Sequence, residues 1–144
     1  MMNINDLYKR VILDHAKNRR NHRKTDCYTH KVHYKNPTCG DVMTMYATIK
    51  ANKIEDLSFV GEGCFISMAS SSMFTNIAKK KTIAEIGELS ILMKDMILTG
   101  KVVDDLRLED AISLGDIHKF PARYNCALMP WQAFEKLLKN REKS

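Results

Sequence analysis

Asn36-Pro37-Thr38-Cys39-Gly40-Asp41 separates two runs of β-favouring residues and decides how the first half of the chain folds. Before it, Tyr28 to Tyr34 alternates strand-type positions. Asn36-Pro37 ends that run, because proline brings no N–H to a ladder. After it, Met43, Met45, Ala47 and Ile49 alternate with Val42, Thr44, Tyr46 and Thr48, the period of a half-buried strand. Ala51-Asn52-Lys53 reads as a turn and Ile54 to Val60 as a third strand. Sequential strands with short connections favour an antiparallel meander. In that order Cys39 and Asp41 occupy the turn at one end of the sheet. Strand two leaves that end, and strand three returns to it with Gly61-Glu62-Gly63-Cys64.

Outside the meander the period is helical. Leu7, Tyr8, Val11, Ile12 and His15 share one face of a helix from Asn5 to Ala16, with Asn3 or Asn5 as its cap. After Gly63, the stripe Ile66, Ala69, Ser70, Met73, Phe74, Ile77 predicts a helix closed by Lys79-Lys80-Lys81, cations suited to its C-terminal dipole. Thr82 with Glu85 is a capping box. The helix it starts is expected to break near Gly87 and to stop at Gly100. Asp104 to Leu114 reads as a shorter helix. Pro130 suits the first turn of a final helix through Trp131, Phe134, Leu137 and Leu138. The fold class is α+β: a three-stranded antiparallel meander, an N-terminal helix and several C-terminal helices.

The 144 residues form one domain, 1–144, long enough to bury a core without a disulfide or a metal. No signal-peptide pattern precedes Leu7, and Lys94 and Asp95 interrupt the most apolar stretch, Ile91 to Leu98. The expected location is the cytoplasm, where clustered cysteines bind metal or do chemistry more often than they pair. The net charge is +6 and uneven: Lys9 to Lys35 holds nine Lys or Arg against Asp14 and Asp26, while Thr82 to Asp116 holds eight acids against three bases. Aromatics are not interleaved with the bases and no recognition motif occurs, so neither nucleic acid nor membrane is the expected partner. The basic run reads as a solvated face or a docking edge for an acidic protein.

Three of the four cysteines stand where regular elements begin or end: Cys39, Cys64, and Cys126 after Pro121-Ala122-Arg123-Tyr124-Asn125. If these segments converge, three thiolates and the Asp41 carboxylate make a four-ligand set of the kind zinc accepts. The spacing is not that of a zinc finger, and the alternative is three buried or incidental thiols. Gly40, Gly61 and Gly63 remove bulk beside the candidates. Cys64 precedes a helix, whose free N–H groups favour a thiolate. Arg123 is placed to balance surplus negative charge.

With these residues the chain resembles the SufU branch of the NifU/IscU-like iron–sulfur cluster assembly proteins. The similarity runs from Leu7-Tyr8, Asp14-His15 and Lys17-Asn18 through Asn36-Pro37-Thr38-Cys39-Gly40-Asp41. It continues in Gly61-Glu62-Gly63-Cys64, Ile66-Ser67-Met68-Ala69-Ser70 and Lys119-Phe120-Pro121-Ala122-Arg123 up to Cys126. The scaffold branch assembles a [2Fe–2S] cluster and usually has a histidine before the last cysteine, preceded by a proline-valine-lysine chaperone-docking motif. Here Asn125 stands at the histidine position and Phe120-Pro121-Ala122-Arg123 at the docking position. The longer Cys64-to-Cys126 segment, with Gly115-Asp116, is similar to the SufU branch.

That resemblance implies Zn²⁺ held by Cys39, Asp41, Cys64 and Cys126. It also implies a zinc-dependent sulfurtransferase that relays persulfide sulfur from a SufS-type cysteine desulfurase to downstream iron–sulfur assembly proteins. Cys39 would be the acceptor; Arg123 is the other candidate catalytic residue, read from its place three residues before Cys126. The alternatives are a [2Fe–2S] scaffold and a zinc-stabilised interaction module without turnover. Cys27 lies outside every motif. His30 and His33, three positions apart in a strand, face opposite sides. His118 is a possible substitute ligand or a loop histidine, and His15 a packed or surface-lining one. Met43, Met45, Met68, Met73, Met93 and Met96 follow core periods.

Overall fold

A computed structural model describes residues 4–38 and 40–141; Cys39 and the expected cap Asn3 lie outside them. The chain begins with α1 (Ile4–Lys17), followed by strands β1 (His30–Lys35), β2 (Val42–Lys50) and β3 (Lys53–Glu62). Helices α2 (Phe65–Ala78) and α3 (Ile83–Thr99), two 3₁₀ segments (Leu106–Lys119 and Pro121–Arg123) and α4 (Tyr124–Arg141) complete it. The sheet order is β1-β2-β3, antiparallel throughout, as the alternation predicts. Val42 pairs with Glu62, which sets Asp41 beside the exit of β3. Ala51 and Asn52 turn the chain at positive φ, 50° and 62°.

The core lies between the sheet and the helices. Met43, Met45, Leu57 and Phe59 share one buried cluster with residues of α2, which packs against α1, α4, β3 and the longer 3₁₀ segment. All six methionines read as core are buried there. Phe74 of α2 meets Trp131 edge-on at 4.7 Å and Phe134 at 5.6 Å, which fastens α4 to α2. Because α2 is enclosed on nearly every side, its hydroxyls need internal partners. Ser71 donates to the Ser67 carbonyl at 2.8 Å, Thr75 to the Ser72 carbonyl at 2.9 Å, and Ser70 across to the Ala127 carbonyl.

The helix ends follow their signals where the signal is local. Thr82 and Glu85 form the reciprocal capping box, and Gly100 closes α3 at φ 76°. Five expectations are corrected. α3 is not broken at Gly87: a Cβ there would meet nothing within 4 Å, and the helix continues to Thr99. Residues Leu106–Lys119 form a 3₁₀ segment instead of an α-helix from Asp104 to Leu114, kinked at Glu109 with φ 48°. α4 starts at Tyr124, so Pro130 lies inside it, where it cannot donate to the carbonyl four residues back. Leu7, placed by its spacing on the packed face of α1, is half exposed, and Asn5 lies within the helix rather than capping it.

Candidate metal centre

The site is built by three chain directions meeting at one sheet end. β2 starts from Asp41, and β3 returns in register and passes through Gly63 to Cys64. Cys64 caps α2: its Sγ accepts from the Ser67 N–H at 3.4 Å, and its own N–H donates to Asp41 Oδ1 at 3.2 Å. Ser67 also donates its hydroxyl to the Cys64 carbonyl at 3.0 Å. α4 supplies the last member, Cys126, buried in its first turn.

One donor atom from each of Asp41, Cys64 and Cys126 lies within 4.8 Å of the others. A tetrahedral zinc with bonds of about 2.0–2.3 Å holds its donors roughly 3.3–3.8 Å apart, so small rotamer adjustments suffice. Asp41 and Cys126 are buried and Cys64 half-buried. Two thiols and a carboxylate are a donor set suited to zinc or iron and poorly suited to calcium or magnesium. Three of the four expected ligands are thus together, and the fourth, Cys39, precedes Asp41 by two residues on the same loop.

Gly63 is required by packing. A Cβ there would come within 2.6 Å of Ser67 Oγ and 2.8 Å of Asp41 Cγ. At Gly61 it would lie 2.4 Å from the Val42 carbonyl oxygen, so the expected absence of bulk before Cys64 holds. At Gly40 a Cβ would meet nothing within 4 Å among the described residues other than its chain neighbours, and its place between Cys39 and Asp41 involves a residue outside those described.

Arg123 is exposed at the end of the second 3₁₀ segment, directly before α4. It lines an apolar groove of about 480 Å³ together with Tyr8, Phe65 and Phe120, the latter two half exposed. His118 is not in the cluster. Its Nδ1 lies 2.8 Å from the Gly115 carbonyl, and its ring packs on Gly100, so the structure gives no support for a substitute ligand. His30 and His33 lie on opposite faces of β1, and Cys27 is exposed.

His15 is packed between Ser72 Oγ and Asp110 Oδ2, each at 2.8 Å. The order serine–histidine–aspartate does not make a nucleophile here, because Ser72 is fully buried and its hydroxyl also accepts the Arg20 N–H. Sequence reasoning missed Ser67, although its position three residues after Cys64 is the spacing at which an N-cap sulfur receives an N–H.

A short meander that delivers a carboxylate and a thiol to one edge, closed by a helix bearing a second thiol, defines an α+β domain built around a mixed thiol–carboxylate cluster. The chain belongs to the family described as NifU-like N terminal domain, which matches residues 7–136. It is similar to the zinc-dependent sulfurtransferase SufU of Bacillus subtilis, 42% identical over 135 residues, covering 93% of this chain and 90% of that one. It is also similar to the iron–sulfur cluster assembly scaffold protein IscU of Streptococcus pyogenes, 35% identical over 136 residues, with 94% and 85% covered. A candidate iron–sulfur cluster assembly scaffold for the SUF system, solved from Fervidobacterium islandicum, superposes with TM-score 0.84 at 32% identity, covering 94% of this chain and 99% of that one. No helix among the described residues is long and apolar enough to cross a membrane.

Proposed function

We propose that this chain serves iron–sulfur cluster assembly as a zinc-dependent acceptor and relay of persulfide sulfur. It would work with a SufS-type cysteine desulfurase, in the cytoplasm, and hand sulfur to downstream assembly proteins. The observation that carries this reading is the convergence of Asp41, Cys64 and Cys126 within 4.8 Å beside the loop that bears Cys39.

Cys39, Asp41, Cys64 and Cys126 would hold zinc, a redox-silent ion that keeps thiolates deprotonated and shielded from oxidation. The residues divide the remaining work. Cys64 is fixed by its place at the start of α2 and Cys126 by burial in α4, so neither suits a sulfur that must travel. Cys39, as thiolate, attacks the outer sulfur of the desulfurase persulfide. The new S–S bond forms on Cys39 as the old one breaks, and the desulfurase thiolate leaves with the electron pair. Arg123, beside the start of α4, offsets part of the surplus negative charge.

The second reading, a [2Fe–2S] scaffold, is favoured by the similarity to IscU, and the same donors suit iron. Metal analysis with a visible spectrum, followed by reaction with desulfurase and cysteine and peptide mapping, separates the two. A colourless chain with one zinc and a persulfide on Cys39 is expected. Persulfide on Cys64 or Cys126 overturns the acceptor assignment. A brown chain with iron and sulfide, and no persulfide, replaces relay by scaffold.

A further inference from the structure

Asn125, the residue before Cys126, is joined to the loop that bears Cys39 by a chain of side-chain hydrogen bonds. The Thr38 N–H and the Thr38 hydroxyl both donate to Asn36 Oδ1, at 3.1 and 3.2 Å. Asn125 Nδ2 donates to Thr38 Oγ1 at 3.3 Å. Gln132 Nε2 donates to Asn125 Oδ1 at 3.4 Å, and the Tyr34 hydroxyl donates to Gln132 Oε1 at 2.9 Å. The chain therefore starts on β1, crosses to α4, runs one way along it, and ends on the loop.

Its polarity is forced from one end. A backbone N–H can only donate, so the Asn36 atom facing Thr38 N is the oxygen. The Thr38 hydroxyl, bonded to that same oxygen, gives up its one proton there and must accept from elsewhere. The Asn125 atom that meets it is then the amide nitrogen. Its oxygen turns to Gln132, which offers nitrogen to Asn125 and oxygen to Tyr34. The Tyr34 hydroxyl is a protonated phenol at neutral pH and so can donate; burial, then the Glu135 charge, pushes it further above its ordinary value. At the loop base the Asn36 N–H donates to the Asp41 carbonyl at 2.8 Å. The segment 36–41 is thus closed at its base and tied sideways to α4 at Thr38.

We infer that Asn125 is a positioning residue that latches Thr38 to the first turns of α4, and so sets how readily Thr38 parts from α4 when a partner's sulfur is delivered. The latch stands on the hydrogen bonds alone; its effect on sulfur transfer rests on the reading of Cys39 as acceptor.

The test uses the full chain, first without metal. Amide hydrogen exchange at Thr38 and Gly40 is compared for Asn125→Ala, Asn125→Asp, Thr38→Val, Thr38→Ser and the double variant Asn125→Ala/Thr38→Val. Asn125→Ala is expected to speed exchange about 2- to 12-fold, the range for one hydrogen bond. Asn125→Asp should exchange more slowly than Asn125→Ala, because the Thr38 hydroxyl can turn and donate to the carboxylate. Thr38→Ser keeps the hydroxyl and should exchange like the parent. The double variant should be no faster than Thr38→Val, since Thr38→Val already removes the bond that Asn125 makes. Unchanged exchange in Asn125→Ala, or additive rates in the double variant, overturns the latch.

With zinc-loaded chain and desulfurase, Asn125→Ala should change kcat for sulfur acceptance while leaving KM near that of the parent, and should release zinc faster to a chelator. If exchange responds as expected but no persulfide forms on Cys39 in the parent, the latch stands and the acceptor reading fails. If Cys39 takes sulfur and Asn125→Ala exchanges and transfers like the parent, the latch alone fails.

Discussion

The N–H of Cys64 donates to Asp41 Oδ1 at 3.2 Å, so a carboxylate and a thiol on different elements are coupled through a backbone group. The bond links the start of β2 to the start of α2. It also gives Asp41 two possible roles, as ligand and as turn residue, which substitution can separate.

Asp41→Ala should keep the fold and weaken zinc binding by at least about tenfold, as carboxylates around a metal site commonly do when lost. Asp41→Asn retains an oxygen for the Cys64 N–H but brings no charge. A chelator competition titration that gives parental affinity for both variants would reduce Asp41 to a structural residue.

Cys39→Ala should abolish stimulation of a cysteine desulfurase while thermal melts show the chain still folded. Retained stimulation would move the acceptor role elsewhere.

Cys27→Ser should leave zinc content and sulfur transfer unchanged, because Cys27 is exposed and stands apart from Asp41, Cys64 and Cys126. Loss of transfer in a folded variant would reveal a second relay thiol.

Gly63→Ala should cost about 1–3 kcal/mol in denaturant unfolding, the usual range for overpacking, and should weaken metal binding as well. The added methyl would meet Ser67 Oγ at 2.6 Å and Asp41 Cγ at 2.8 Å. Adding Ser67→Ala relieves the first contact and not the second, so stability should recover further than metal affinity.

The last prediction concerns pH. Burial alone would raise the Asp56 carboxyl, but hydrogen bonds and charge from Arg23, then Lys79, outweigh it and hold it below its ordinary value. The unfolded pKa is about 3.9, so this stabilisation is present above that pH and fades as pH falls through the lower folded value. The Tm gap between the parent and Asp56→Asn should be widest above about pH 5 and close in stronger acid. A gap that does not vary with pH would show that the ion pair does not carry it.

Much of this architecture was legible because its signals are local. The alternation from Val42 to Ile49, the Thr82–Glu85 box and Gly100 each depend on residues within a few positions, and each appears as expected. The meander alone predicts that Asp41 and Cys64 share an edge, and the register Val42 to Glu62 brings them there. The start of α4 was not legible. Pro130 carries the usual mark of a first turn, yet the helix begins at Tyr124, where the Tyr124 hydroxyl donates to the His118 carbonyl at 2.7 Å and α4 packs on α2. The Leu106–Lys119 segment was misread for a similar reason, since the turn at Glu109 has no glycine to announce it. The link from Asn125 to Thr38 was equally silent, because the two lie 87 positions apart and Asn125 stood out only as a departure from the family's histidine.

The enclosure of α2 has a consequence for time rather than for shape. A helix walled in by α1, α4, β3 and the longer 3₁₀ segment cannot fray on its own, so its central amides, from Met68 to Phe74, open only when the whole molecule does. The latched loop answers to a far cheaper event, the parting of one hydrogen bond. The two sides of the cluster therefore keep different clocks: one is slowed by global stability, the other by a single side-chain contact at Thr38.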